Sequence, residues 1–172
     1  MKITDGFLIW ATFDYPTQDR LEIIRQKVNG LLKGPDFDIH LTLSGLIELD
    51  AKLNESDVFD KFDLLKDQIN TIQINLIDYS FRDRFDQSLF IKVKKNTELI
   101  SLRNKVQVSF GLNPNSFFPH ISLFYGEEKE EKKKEVIKEL PSFENITSLN
   151  KICLAHVEER IDKWEVVKEI IL

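Results

Sequence analysis

His40-Leu41-Thr42-Leu43 and His120-Ile121-Ser122-Leu123 are two copies of one pattern, His-φ-Thr/Ser-φ with φ apolar, 80 positions apart in a chain of 172 residues. Two of the chain's three histidines occupy this frame. Each copy sits in an apolar, β-favouring run, residues 37–47 and 117–125. Side chains at i and i+2 of a strand share a face. His40 and Thr42 therefore point one way while Leu41 and Leu43 point into a core, and His120 and Ser122 stand in the same relation to Ile121 and Leu123. Two such strands present paired imidazoles flanked by hydroxyl donors.

Working outward, residues 7–13 read as a first strand and Asp14-Tyr15-Pro16-Thr17 as a turn into a helix over 18–32. Leu21, Ile24, Val28, Leu31 and Leu32 form the apolar stripe of that helix, and Gly34-Pro35 ends it. After the first His strand comes a helix over 55–67 with Val58, Phe59, Phe62 and Leu65 at helical spacing. Strands over 71–81 and 88–94 follow, joined by the charged turn Arg82-Asp83-Arg84-Phe85-Asp86-Gln87. A helix over 98–110 ends at Gly111, and Asn113-Pro114-Asn115 makes a loop before the second His strand. A charged helix over 128–139 and strands over 146–158 and 163–170 close the chain. Each half thus runs helix, His strand, helix, two strands, the order a tandem duplication produces. The charges of residues 127–138 alternate in sign, which marks a solvated helix face rather than a binding tail.

Composition fits one soluble domain over residues 1–172, with 42% hydrophobic and 31% charged residues. No apolar run approaches the roughly 18 residues of a membrane span, and no signal-peptide layout opens the chain. The single cysteine, Cys153, excludes an internal disulfide and points to a reducing, cytoplasmic setting. A net charge of −5 argues against broad electrostatic capture of nucleic acid.

Imidazole titrates near neutrality, so one histidine accepts a proton while its partner donates one. That division of labour suits metal-free hydrolysis of a cyclic phosphodiester: a base activates water for in-line attack, and an acid protonates the departing oxygen. Thr42 and Ser122 supply hydrogen bonds to the non-bridging oxygens. The third histidine, His156, has no hydroxyl at i+2 and reads as structural. Cys153 and His156 face opposite sides of one strand and make no nucleophile pair. No metal-ligand spacing, Gly-rich phosphate loop or nucleophile elbow is present, so neither metal nor cofactor is expected.

In this length and order, the paired motifs resemble the 2H phosphoesterase superfamily, and its cyclic phosphodiesterase branch in particular. Further segments carry the resemblance: Phe7-Leu8-Ile9-Trp10-Ala11, Gly34-Pro35 with Phe37 ahead of His40, Phe118-Pro119-His120, and Ile152-Cys153-Leu154-Ala155 followed by Trp164-Glu165-Val166-Val167. The resemblance implies an α+β fold that is bilobal and pseudo-twofold duplicated, with two antiparallel sheets lining a central cleft and helices outside. It implies hydrolysis of nucleoside 2′,3′-cyclic phosphates to 2′-phosphates, or of ADP-ribose 1″,2″-cyclic phosphate to the 1″-phosphate. His40, Thr42, His120 and Ser122 carry over as the catalytic set, with His120 as base and His40 as acid by analogy. Trp10 and Tyr125 carry over as pocket aromatics, although Tyr125 needs a bend at the strand end to reach the cleft. Two departures stand out. Ile39 precedes His40 where plant relatives have proline, and the span 78–90 is unusually charged. In that span Arg82 and Arg84 read either as a grip on a second phosphate or as solvated turn residues, while Phe81 and Phe85 read as core. The expected partner is a small cyclic-phosphate nucleotide, with no membrane and no obligate protein partner. The alternatives are a phosphodiesterase of 2′,5′-oligonucleotides or RNA ends, and a nucleotide-phosphate binding module without turnover.

Overall fold

The computed structural model describes residues 5–114 and 116–172, which leaves Asn115 of the expected loop outside the described residues. The chain runs β1 (Gly6–Phe13), α1 (Tyr15–Leu32), β2 (Leu41–Thr42), α2 (Glu55–Leu64), β3 (Gln73–Phe81), β4 (Leu89–Val93), α3 (Thr97–Ser109), β5 (His120–Phe124), α4 (Glu130–Glu139), β6 (Ile146–Val157) and β7 (Glu165–Ile171). The α+β class and the element order match the expectation from sequence. None of the described helices is long and apolar enough to cross a membrane.

Local chemistry explains the boundaries. Asp14 caps α1 through Thr17 N, so the expected turn 14–17 is the helix's cap and first turn, with Pro16 where its missing N–H costs nothing. Asn54 and Asp57 form a capping box on α2, and Asn96 caps α3 through Leu99 N. Gly111, with φ +66°, ends α3 in the left-handed region. Each helix buries one stripe against the sheet: Leu21, Ile24 and Val28 from α1, Val58 and Phe62 from α2, Leu99 and Val106 from α3, and Val136 from α4. Each such side chain contributes about 1.5–3 kcal/mol over leaving it in water.

The strands join in one antiparallel network, in place of two separate sheets. Its order is β1-β2-β5-β4-β3-β6-β7, and β1 also pairs with β6, so six strands close a circuit. The pairing maps onto itself under a two-fold exchange. Trp10↔Thr42 and Ala11↔Leu41 correspond to Phe90↔Ser122 and Ile91↔Ile121, each shifted by the same 80 positions as the His motifs. Leu76, Tyr79 and Phe81 lie opposite Val93, Ile91 and Leu89 as Leu149, Ile152 and Leu154 lie opposite Phe13, Ala11 and Ile9. Even the register irregularity recurs, between Leu76 and Tyr79 on one side and beside Phe13 on the other. The repeat unit defined by pairing is therefore strand, helix, His strand, helix, strand: β1 to β3, then β4 to β6. The sequence frame began one strand later. It left β1 outside, whereas the structure leaves β7, which pairs with β6 alone.

The halves pair along β1–β6, β3–β4 and β3–β6 as well, and on the two-fold axis itself Leu41 pairs with its own counterpart, Ile121. The first His strand shrinks from the expected 37–47 to Leu41–Thr42. Glycine decides part of the path into it: a Cβ on Gly34 would stand 2.5 Å from the buried Phe124 ring.

Candidate active site

The Leu41↔Ile121 pair fixes the geometry of the centre. Both side chains are fully buried in the main core. Continuing the antiparallel register by one residue sets His40 across from Ser122 and Thr42 across from His120. All four side chains then share the face away from the core. Trp10, opposite Thr42, and Phe90, opposite Ser122, extend that face on the flanking strands. Lys92, opposite His120, adds a cation to it.

Both imidazoles are oriented the same way. His40 Nδ1 lies 2.6 Å from Asp38 O, and His120 Nδ1 lies 2.9 Å from Phe118 O. A carbonyl only accepts, so Nδ1 carries the hydrogen in each ring and donates it. Nε2 is left as the titrating nitrogen on each histidine. Burial is the main reason that both hold protons weakly. The His40 pKa is pushed down to about 4 by desolvation, against the pull of the Asp38 carbonyl, and His120 lowers it further. His120 is lowered less completely: desolvation dominates, the Phe118 carbonyl and the Asp86 carboxylate oppose it, and Arg82 reinforces it. The pairing of Leu41 with Ile121 brings the two rings to one place on the sheet, where the charge of His120 reaches His40.

Aromatic rings wall the histidines. Trp10 stacks on His40, with centroids 4.0 Å apart and planes 16° apart. Trp164 lies 6.4 Å from His40, and Phe37 meets it edge-on. Phe118 stacks at 5.6 Å from His120 and Phe90 meets it edge-on at 5.4 Å. Tyr125 follows the end of β5, where the chain leaves strand geometry, and packs edge-on to Phe37 at 4.7 Å. A register shift in β5, opposite Leu89 and Phe90, turns Tyr125 to the side of Ser122, where the two side chains interact.

The remaining sequence candidates divide. Arg84 is held by Asp86 in a two-point pair, whereas Arg82 lies over the Phe118 ring at 3.8 Å and donates to Gln87. Phe85 joins the cluster of Phe37, Tyr125 and Ile161. Arg82 and Phe85 also line a cavity of about 780 Å³ with Arg84, Lys133, Asp83 and Glu128, a mixed-charge lining that includes neither motif histidine. His156 pairs with Asp5 and touches Phe7, on the core side of β6. Cys153 is buried against Trp10, and burial pushes its thiol up to about 12. Among the described residues no group of three or more His, Cys, Asp or Glu gathers as a metal-ligand set. The sequence reading missed Phe90, Phe118, Trp164 and Asp86 as neighbours of the histidines. Phe90 had a signal in the 80-residue shift from Trp10, and Phe118 had one in its place two residues before His120; Trp164 and Asp86 depend on loop paths.

The family described as "Cyclic phosphodiesterase-like protein" matches residues 14–172. A cyclic phosphodiesterase of Arabidopsis thaliana is 21% identical over 172 residues, covering 95% of this chain and 93% of the relative. Among solved structures, E. coli LigT complexed with 3′-AMP is similar at a TM-score of 0.66 and 16% identity, covering 99% of both chains. LigT complexed with NADP+ is similar at a TM-score of 0.64 and 17% identity, covering 98% of both.

Proposed function

Since the chain belongs to the cyclic phosphodiesterase-like protein family, enzymes of the 2H phosphoesterase type, we propose that it opens nucleotide cyclic phosphates with His40 and His120 as its acid/base pair. The substrates are nucleoside 2′,3′-cyclic phosphates, giving 2′-phosphates, or ADP-ribose 1″,2″-cyclic phosphate, giving the 1″-phosphate. One observation carries this reading: two imidazoles, each with Nδ1–H tied to a backbone carbonyl, present Nε2 on one face between two hydroxyls. One Nε2 takes a proton from water as it attacks phosphorus in line. The other gives a proton to the leaving ribose oxygen. Thr42 and Ser122 donate to the non-bridging oxygens, and Trp10 and Tyr125 help wall the pocket. Metal and cofactor play no part in this scheme, which acts in a single two-lobed unit of a reducing, cytoplasmic compartment.

A small nucleotide is favoured over a polynucleotide. LigT structures hold 3′-AMP, NADP+ and ATP, and a net charge of −5 offers no basic track for a long strand. The test is hydrolysis of the nucleoside 2′,3′-cyclic phosphates and ADP-ribose 1″,2″-cyclic phosphate in EDTA, with products resolved. Turnover to the 2′- or 1″-phosphate is expected. Binding without turnover would replace the enzyme reading by a binding one.

The buried histidines also set a pH dependence. The productive pair carries one proton, so kcat/KM peaks between the two macroscopic pKa values of the free site. Desolvation lowers both, one to about 4 and the other to below 6.5. We expect kcat/KM to fall as pH rises above this window, because the acid is lost, and to fall below about pH 4, because the base is protonated. The kcat profile lies at higher pH, since a bound phosphate anion stabilises imidazolium. An optimum for kcat/KM above pH 8 would exclude the histidine pair as the titrating groups.

A further inference from the structure

The two histidines sit in matching places but are held in different ways. In the second half, Pro119 precedes His120 and has no N–H to satisfy. Its carbonyl accepts directly from Val93 N at 3.2 Å, one strand bonding the next. In the first half the positions matching Val93 and Pro119 are Phe13 and Ile39, and no direct bond joins them. The side-chain amide of Gln18 stands between: its Oε1 accepts from Phe13 N at 3.1 Å, and its Nε2 donates to Ile39 O at 2.9 Å. Ile39 also brings an N–H that proline would lack, and Glu22 Oε2 accepts it at 3.3 Å. Glu22 is held in turn by Arg25, which pairs with Asp36 and lies over the Phe37 ring. Gln18, Glu22 and Arg25 lie one helical turn apart on one face of α1.

The segment so gripped has no sheet ladder of its own. Residues 33–40 are irregular, and within them Asp38 supplies the carbonyl that orients His40. We infer that Gln18 and Glu22 form a clasp on Ile39 that sets the ring of His40, doing in the first half what Pro119 and a direct strand bond do for His120. They are positioning residues, acting through Ile39 and Asp38. Gln18 must donate and accept at once, and only an amide of that length does both. The kinetic arm of the test rests on the catalytic reading of His40; the spectroscopic arm does not.

Ring nitrogen spectra of the chain's three histidines give the primary readout. The wild-type protein should show His40 and His120 as Nδ1–H tautomers. Gln18→Glu, which keeps the shape but loses the donor, should convert His40 to a tautomer mixture while His120 stays unchanged. On cyclic phosphate it should lower kcat about 10- to 100-fold with KM nearly constant. Glu22→Ala should do the same more weakly. Ile39→Pro added to it should restore both His40 and kcat by deleting the stranded donor. An unchanged His40 signal in Gln18→Glu, or an equal disturbance of His120, overturns the inference. Should Gln18→Glu not fold, the Glu22→Ala and Ile39→Pro pair decides alone, and failure to rescue overturns it. If the protein turns over no cyclic phosphate, the proposed activity fails while the His40 spectrum still reads the clasp.

Discussion

His40→Ala and His120→Ala should each lower kcat/KM by about 10²- to 10⁴-fold on a cyclic phosphate, the range expected for removing a positioned acid or base. The loss should appear mainly in kcat, because the proton transfers of the two imidazoles are made in the transition state. The fold should survive. His40 faces Trp10 rather than the main core, and His120 is only partly enclosed. The carbonyls of Asp38 and Phe118 lose a partner in these variants, yet both residues lie where water reaches. Steady-state kinetics beside a thermal melt checks this. Loss of cooperative unfolding, rather than clean inactivity, would make the histidines structural. A substrate with sulfur at the leaving position separates the two roles, since a departing thiolate needs no proton. With His40 as acid, that substrate restores rate to His40→Ala and not to His120→Ala. The free site leans the other way, because Asp86 helps a proton stay on His120 while aromatic rings surround His40. The opposite rescue pattern would exchange the roles.

The parts of this molecule legible in its sequence are those written in local periodicity. Period two placed His40 with Thr42 and His120 with Ser122, and the same alternation put Leu41 and Ile121 at the core contact between halves. Helical spacing found the buried stripes of α1 and α2. The frame of the repeat was not legible, because β1 and β7 both read as strands flanking the repeated elements and only hydrogen-bond partners reveal which one belongs to the duplication. Nor was the length of β2. The run 37–47 alternates like a strand, but side chains of α1 take the polar groups of Ile39 that a neighbouring strand would otherwise use. Arg82 shows the limit from the side of charge. Its position over Phe118 follows from the path of the turn between β3 and β4, and a turn of alternating charges does not declare which arginine meets an acid and which a ring.

The second large effect belongs to the hydroxyls. Thr42→Val and Ser122→Ala should each reduce kcat by about 10²- to 10³-fold, the cost of deleting one donor aimed at a developing oxyanion. Valine keeps the shape of threonine, so the Thr42 variant tests the hydroxyl alone. Ser122 needs a control, because it is buried and bonded to the Tyr125 hydroxyl. Burial raises the Tyr125 pKa to about 12, so the phenol stays protonated across the working range and acts only as a neutral hydrogen-bond partner. Tyr125→Phe removes that partner and leaves Ser122 free to turn toward phosphate. If Ser122 acts on the substrate directly, Tyr125→Phe should cost far less than Ser122→Ala. The double variant should then be no worse than Ser122→Ala, since Tyr125 works through a group already gone. A Tyr125→Phe loss as large as that of Ser122→Ala would instead move the donor role to the phenol. The near two-fold arrangement sharpens the comparison: Gly45 stands in the first half where Tyr125 stands in the second, so no phenol matches Tyr125 beside Thr42. Thr42→Val should therefore respond to Tyr125→Phe additively, and only the Ser122 side should show coupling.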